Sequence, residues 1–580
     1  MSTEHAPSDS HERSATAVLD AAAQTRPSSH DPELIPVLSS RWALGWKHLA
    51  ATTLLGTLFV FLNHIPLRGT DLWGHLEWGK RILAERTIPT EDPLQPLAAG
   101  MRVVDLSWLS QVTYAAVERT GGPEALVGLF TLIVWLTYLL VARTCYLQTR
   151  SPLLSTVVTM AAVGIGWSRI STIRPENFAL LLFAALLWLL VGRRVRRDES
   201  VLADDTQGDW KLWLGIPVIF ALWANLHGSF FCGLALLGCY LMGRVGEVLW
   251  NERSVRAVLL DREVRRLLYW LELAAAAVLV NPYTIDAYVE AIRFSQNLNL
   301  RDVLEWAPLS LRLPAGWEFA ASVVVLGLLL RVSRRPFAPA DVAALLLFGL
   351  AAALQLRMIG WFAMVWAVVA APHISDLAAR WIAARESRGK HAAEATVDSD
   401  DESPAIPAGH SFRYTLACVG VVWMAFAFSS LSRPLLGGVP RTPEALFGEQ
   451  SPQQLVAWLQ KNPPTGQVLN PQYWGDWLAW AGPKPMQLFS TTNIHLTPRS
   501  VWQDYGRIMS MQPNWETALD RYRVQTIILD RAQQAAFGRA LRTSPDWMLA
   551  YEDPQAQVFR RKPKAESSAK AAPPKPTACH

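Results

Sequence analysis

The chain has 580 residues, of which 51% are hydrophobic and only 18% charged, below the roughly 25% charged residues of a soluble globular domain. On such a chain a net charge of +5 is informative through its placement, as membrane topology, and not as nucleic-acid affinity. The five cysteines, Cys145, Cys232, Cys239, Cys418 and Cys579, form no C-x-x-C pair and no framework in a polar segment, so neither zinc nor disulfides are expected to hold the fold.

Residues 1–45 are rich in Ser, Ala, His, Asp and Pro, without apolar periodicity, and read as a disordered cytoplasmic tail. No small-residue cleavage site follows the first apolar run, which argues against a signal peptide. That run, 46–65, opens a transmembrane portion covering 46–374. Its first outer loop, 66–123, gathers Asp71, His75, Glu77, Asp92 and Asp105 among tryptophans and a proline-marked turn. Further apolar runs lie at 124–142, 152–167, 176–191, 213–225, 228–249, 267–280, 318–330, 340–354, 359–373 and 414–431. Many of the 26 tryptophans sit at the ends of these runs, where interfacial aromatic belts form. The runs suggest about eleven spans of a hydrocarbon core roughly 30 Å thick.

With the N-terminus inside, the inner loops carry Arg143 and Arg150, the group Arg193 to Arg197, the group Arg244 to Arg266, and then Arg331, Arg334 and Arg335. The short outer loops carry mainly Arg169, Arg174 and Arg357. This alternation places the N-terminus in the cytoplasm, and an odd number of spans places the C-terminal portion outside. Segment 375–412 is charged and reads as an unstructured cytoplasmic linker, and 413–436 as the last transmembrane helix. Residues 437–562 then read as an exported α/β domain. It has expected strands at 467–470, 486–490 and 524–529, helices at 474–480, within 515–522 and at 533–541, and a hairpin over 548–559. Residues 563–580, rich in Lys, Ala and Pro, read as a disordered tail. The expected fold class is therefore mainly α, a polytopic helical bundle with a small C-terminal extracytoplasmic α/β domain.

Given this topology, the polar residues at span ends collect on the outer side. They are the first outer loop, Arg174-Pro175-Glu176, Asn225 to Gly228, Asn281-Pro282-Tyr283, Glu305-Trp306 and Arg357. Ionisable groups beside membrane segments usually face a protein interior or a wet cavity, and one outward cavity would explain all of these positions. Asp71 suits both the N-cap of a helix beginning at Leu72 and a catalytic role. Asp92 precedes a proline in a turn-forming run. Asp105 stands before the next span. His75 and Glu77 fall on different sides of their helix and read as helix surface. Arg174 and Arg357 suit either snorkelling to the interface or bidentate contact with a phosphate. Asn225 and His227 lie in a tight turn, and Glu305 reads as a solvated carboxylate beyond an amphipathic stretch at 288–303. No H-E-x-x-H, D-x-D or cysteine cluster supplies a metal site.

The run Asp71-Leu-Trp-Gly-His-Leu-Glu-Trp-Gly, followed by Ile88-Pro89, Asp92-Pro93 and Trp108-Leu109, resembles the first outer loop of bacterial membrane proteins related to the GT-C glycosyltransferases. Arg174-Pro175-Glu176, Asn225-Leu-His-Gly, Asn281-Pro-Tyr, Glu305-Trp306 and Arg357 recur in that group's order, and Gly475-Asp476-Trp477-Leu478 resembles part of its C-terminal domain. The resemblance implies transfer of a sugar from a polyprenyl-phosphate carrier to an envelope lipid, glycan or protein at the outer face of the cytoplasmic membrane. Asp71 matches the group's early acidic residue, which acts as base or positions the acceptor. Asp105 and Asp92 are further catalytic candidates, and Arg174, Arg357, His227, Asn225 and Glu305 are candidates for contact with substrate or phosphate. No cofactor is implied beyond the lipid-linked sugar as substrate; the expected partners are that carrier, membrane lipids and an acceptor. Relatives commonly carry His-Glu where this chain has Leu106-Ser107, which leaves Asp105 as the substitute. A non-catalytic envelope scaffold and a lipid or solute transporter are the competing readings. A transporter is disfavoured by the lack of a clear internal repeat and by the small number of charges buried mid-span.

Overall fold

The computed structural model describes residues 42–67, 71–199, 210–390, 410–448 and 451–563. Residues 1–41 of the expected 1–45 tail, 564–580 of the expected 563–580 tail and half of the expected linker, 391–409, lie outside these residues, while Leu44–Gly45 of the first tail form a short strand.

Each of the eleven apolar runs is helical. The helices are Trp46–His64, Trp108–Thr149, Pro152–Ile165, Glu176–Glu199, Trp210–Leu226, Phe230–Glu252, Arg262–Val278, Pro314–Val332, Pro339–Leu354, Ile359–Lys390 and Phe412–Ala427. Among the described residues, five helices are long and apolar enough by themselves to cross a membrane, or up to six if Phe412–Ala427 and the bent continuation Ser430–Leu436 count as one. Others, such as Pro152–Ile165 and Pro339–Leu354, are apolar but short. The count of eleven therefore exceeds the helices that meet the length and apolarity of a full span.

Burial orders the bundle. The apolar window of Leu356–Arg385 is 83% buried inside the protein, whereas that of Pro314–Val332 is only 22% buried. The first is a central post and the second a peripheral helix with Val324, Leu328 and Leu330 exposed. Trp223, Phe183, Phe348 and Trp361 pack together around the post, with Trp223 and Trp361 stacked at 5.8 Å between ring centroids. Helix Ile359–Lys390 also overturns part of the linker expectation. Residues 375–390 continue as helix, because that stretch is rich in Ala and Arg, which favour helix, and Arg380 pairs with Asp376 one turn earlier at 3.1 Å.

The C-terminal portion holds a five-stranded sheet. Its strands are β3 (Gln467–Leu469), β4 (Gln487–Leu488), β5 (Val524–Asp530), β6 (Trp547–Glu552) and β7 (Ala556–Arg561), in the order β4-β3-β5-β7-β6. β4, β3 and β5 run parallel, and the β6–β7 hairpin closes one side antiparallel. Alternation along the strands splits the core. Leu469, Ile527, Leu529 and Phe559 face the helices Arg499–Met509, Trp515–Arg521 and Ala535–Thr543, while Val468, Ile528 and Val558 meet Leu455, Leu459 and Leu478. A small pair, β1 (Leu44–Gly45) with β2 (His410–Ser411), ties the start of the first helix to the start of the last apolar helix.

This α/β unit is clasped to the loop that follows the first helix. Loop helix Leu72–Glu85 sends Trp73 into Phe447, Trp477 and Trp480, with ring centroids 5.5, 5.0 and 4.5 Å away. Gly74 lets the backbone approach so closely that a Cβ there would lie 2.6 Å from Asp476 Oδ2. On the helix's other contact, a Cβ at Gly79 would lie 2.0 Å from the Gln111 carbonyl oxygen. Glu77 does not stand alone on the surface, since it pairs with Lys484 of the α/β unit.

Candidate functional site

Between the helical bundle, the loop that follows the first helix and the α/β unit lies a cavity of about 460 Å³. Its lining includes Asp71, Asp105, Arg174, His227, Glu305 and Arg357, which the sequence expectations had named from five separate segments. Asn225 and Asp92 are not in the lining. The Asn225 side chain is spent on structure: Oδ1 accepts from Trp108 Nε1 at 2.9 Å, and Nδ2 donates to the Ala221 and Val280 carbonyls at 2.7 Å each. Asp92 accepts from the Leu94 backbone N–H at 2.8 Å and from Asn493 Nδ2 at 3.3 Å, so it fixes a turn against the α/β unit.

Asp71 precedes helix Leu72–Glu85, yet its carboxylate makes no cap hydrogen bond. It faces Arg174 instead, with Oδ1 3.4 Å from Nε. Arg174 comes from the turn before helix Glu176–Glu199, where Pro175 sits just ahead of the first helical residue and Asn177 Oδ1 accepts from the Arg174 N–H at 2.7 Å. From there, ion pairs alternate in sign. Arg174 also binds Glu305, Glu305 lies 3.0 Å from Arg169, and Arg169 binds Glu176. Glu305 is therefore not a solvated carboxylate. Burial works to raise its pKa, but Arg169 and Arg174 hold it down at about 2. Removing one partner from such a buried pair typically costs about 3–5 kcal/mol, so the chain of charges acts as a rigid frame that fixes where Asp71 points.

Arg357 differs from the other two arginines. Among the described residues no carboxylate comes within ion-pair distance of it, and its guanidinium lies over the Trp306 ring, 4.5 Å from the centroid. The same guanidinium is 5.9 Å from the Phe294 ring. Stacking holds the planar group in place while leaving its N–H edge without a carboxylate, an arrangement suited to bidentate contact with an oxyanion. His227 completes the turn between two helices, its Nδ1 2.8 Å from Ser229 Oγ.

The structure adds residues to the expected set. His75 lines the cavity, contrary to its assignment to the helix surface. It lies one turn after Asp71 on the same face, an i,i+4 spacing that was legible in the sequence. Its Nδ1 is 3.3 Å from Gln111 Nε2, and Gln111 in turn donates to Asp105 Oδ1 at 3.1 Å. Asp105 is buried, which pushes its pKa up to about 7 against hydrogen bonds from the Ser107 N–H and Gln111.

The α/β unit contributes Gln472, Tyr473, Thr492, Asn493 and His495 to the lining. Local sequence pattern held no signal for these, because only the docking of that unit brings them there. Docking is secured by side chains reaching into backbone. Gln95 donates to the Phe489 carbonyl and Thr497 Oγ1, and Asn299 donates to the Ile494 and Thr497 carbonyls at 2.8 Å each. Asn297 binds the His495 carbonyl at 2.9 Å, and the Phe294 ring lies 4.8 Å from that of His495. Behind this wall, Asp476 accepts from the Thr492 N–H at 3.2 Å and from the Thr492 hydroxyl. No group of three or more His, Cys, Asp or Glu side chains suited to a metal ion occurs among the described residues.

No family model matches the chain, and no curated protein sequence matches it. The solved structures similar to it at low identity include two transferases. One is the oligosaccharyltransferase of Archaeoglobus fulgidus tethered to an acceptor peptide, at 12% identity and a TM-score of 0.49, covering 89% of this chain and 74% of that one. The other is the mycobacterial arabinofuranosyltransferase AftD, at 15% identity and a TM-score of 0.44, covering 90% of this chain and 40% of that one. At these scores the chemistry rests on this chain's own residues.

Proposed function

We propose that the protein is a bacterial membrane glycosyltransferase that takes a sugar from a polyprenyl-phosphate carrier and passes it to a hydroxyl of an envelope acceptor. The observation that carries this reading is the convergence of Asp71, Arg174, Glu305 and Arg357 on one cavity. Asp71 is the carboxylate that accepts or orients the acceptor hydroxyl, a role that requires hydrogen-bond reach to the proton it takes. Arg174 and Glu305 keep it in place. As the acceptor oxygen bonds to the anomeric carbon, the bond from that carbon to the phosphate oxygen breaks, and Arg357 stabilises the phosphate that leaves.

A lipid-borne donor fits the cavity's wall. Helix Asp286–Gln296 turns Glu290, Ala291, Phe294 and Ser295 toward the cavity and leaves Val289 and Ile292 exposed on its other side. An amphipathic helix of this kind lies in the membrane interface, so a carrier held in the bilayer would present its head group beside Arg357. In this reading the N-terminus is cytoplasmic and the α/β unit lies outside; a reporter fused after Phe559 should appear at the outer face.

The decisive test supplies the purified protein with polyprenyl-phosphate sugars and compares wild type with Asp71→Asn. Loss of a general base should lower turnover by roughly 10²- to 10⁴-fold. No turnover with any donor, together with unaltered envelope glycans in a deletion strain, would sink the enzyme reading in favour of a scaffold.

A further inference from the structure

The cavity lining is divided by charge. Asp71, Arg169, Arg174, Glu176, Glu305 and Arg357 all belong to the ion-pair frame and its neighbour. A second part, made by Trp78, His75, Gln111 and Asp105, carries no cation and no ion pair. These four side chains belong together: His75 and Trp78 are three residues apart on one helix, and Gln111 touches both His75 and Asp105.

This part holds polar atoms with no partner in the chain. Trp78 Nε1, a donor, and the acceptors Gln111 Oε1 and Asp105 Oδ2 are all buried and make no hydrogen bond. Their residues are 3%, 3% and 8% exposed. Buried polar groups are otherwise almost always paired, so each such atom needs an explanation. Gln111 Nε2 is shared between His75 Nδ1 and Asp105 Oδ1. His75 Nδ1 therefore accepts, and its ring proton sits on Nε2 as a second donor.

A ligand that satisfies this set must both donate and accept. The phosphodiester of a lipid-linked sugar offers acceptors alone, and an ammonium offers donors alone. A hydroxyl offers both. We propose that Trp78, His75, Gln111 and Asp105 form a subsite for an uncharged, hydroxyl-bearing ring of carbohydrate type. Its hydroxyls donate to Gln111 Oε1 and Asp105 Oδ2 and accept from Trp78 Nε1 and His75 Nε2. The inference rests on the transferase reading of the cavity and adds to it the place of the sugar ring and the residues that hold it. The ring is either the donor's sugar or an acceptor glycan, and both present the same chemistry here.

The test uses the full chain in lipid nanodiscs and methyl glycosides of hexoses and pentoses, with binding followed by saturation-transfer NMR. At least one glycoside should bind, and Trp78→Phe and Gln111→Met should each weaken it by roughly 3- to 10-fold, the effect of losing one hydrogen bond. Glu77→Gln, on the same helix but paired with Lys484 outside the cavity, should leave binding unchanged. Trp78→Phe retains the ring, so it decides the outcome if Gln111→Met lowers the melting temperature. Displacement of the glycoside by a polyprenyl-phosphate sugar assigns the subsite to the donor, and retention assigns it to the acceptor. Absence of binding by every glycoside, or equal binding in wild type and both variants, overturns the proposal. Inorganic phosphate, bound by wild type and lost in Arg357→Gln, reports separately on the transferase reading, so the two can fail independently.

Discussion

Asp476 offers a quantitative test of how the α/β unit is seated. It is 1% exposed, lies against Gly74 of the loop helix and hydrogen-bonds twice to Thr492 of the cavity wall. Burial, offset in part by those hydrogen bonds and reinforced by Asp71 and Asp92, pushes its pKa up to about 8. In the unfolded chain an aspartate titrates near about 4. The folded value lies above the unfolded one, so the folded state holds the extra proton between them. Stability from this group is fully present below about pH 4 and is lost as pH rises toward about 8. At about 1.4 kcal/mol per unit, roughly four units give an upper bound of about 5 kcal/mol. Asp476→Asn keeps the shape, still accepts from the Thr492 N–H and cannot ionise. Thermal unfolding of the full chain in nanodiscs, followed by tryptophan fluorescence at pH 5 and pH 8.5, should show the variant gaining several degrees over wild type at the higher pH. At the lower pH the gap should be small. A gap that is the same at both pH values would refute the assignment of Asp476 as a buried, protonated contact.

Three further outcomes follow from the geometry. Arg357→Gln should weaken binding of a polyprenyl-phosphate donor by roughly 10- to 100-fold, the worth of a charge-assisted hydrogen bond. Arg357→Lys should restore it only in part, because an ammonium lacks the planar fork and stacks less well on Trp306; titration with the carrier lipid measures both. Trp73→Ala removes the ring clasped by Phe447, Trp477 and Trp480, and should cost about 3–5 kcal/mol, seen as faster proteolysis of the α/β unit at a fixed protease concentration. Gly79→Ala places a methyl in the path of the Gln111 carbonyl and should destabilise by about 1–3 kcal/mol, measurable as a lower melting temperature with Gly238→Ala, where a Cβ meets nothing within 4 Å, as the control.

Much of the molecule was written in local pattern. Apolar run length placed a helix at each of the eleven positions, and alternation within 524–529 and 548–559 located β5 and the closing hairpin, because these signals depend only on neighbours in sequence. Asp71, Arg174, Glu305 and Arg357 stood out for a related reason: charge beside an apolar run is costly unless something receives it. Short helices such as Pro152–Ile165 show the limit of that signal, since apolarity marks a buried segment as readily as a full crossing.

What only the tertiary structure decided is who meets whom. Asn225 and Glu305 looked alike as polar residues at span ends, yet one is consumed by backbone hydrogen bonds and the other joins two arginines. His75 moved from surface to cavity, and Tyr473, Asn493 and His495 entered the site from more than 360 residues beyond Asp105. Periodicity fixes which face of an element is apolar, but it says nothing about the partner that face will find. Here Trp73 and Gly74 on one helix bring the α/β unit down onto the loop, and that docking turns a row of span-end charges into a shared cavity.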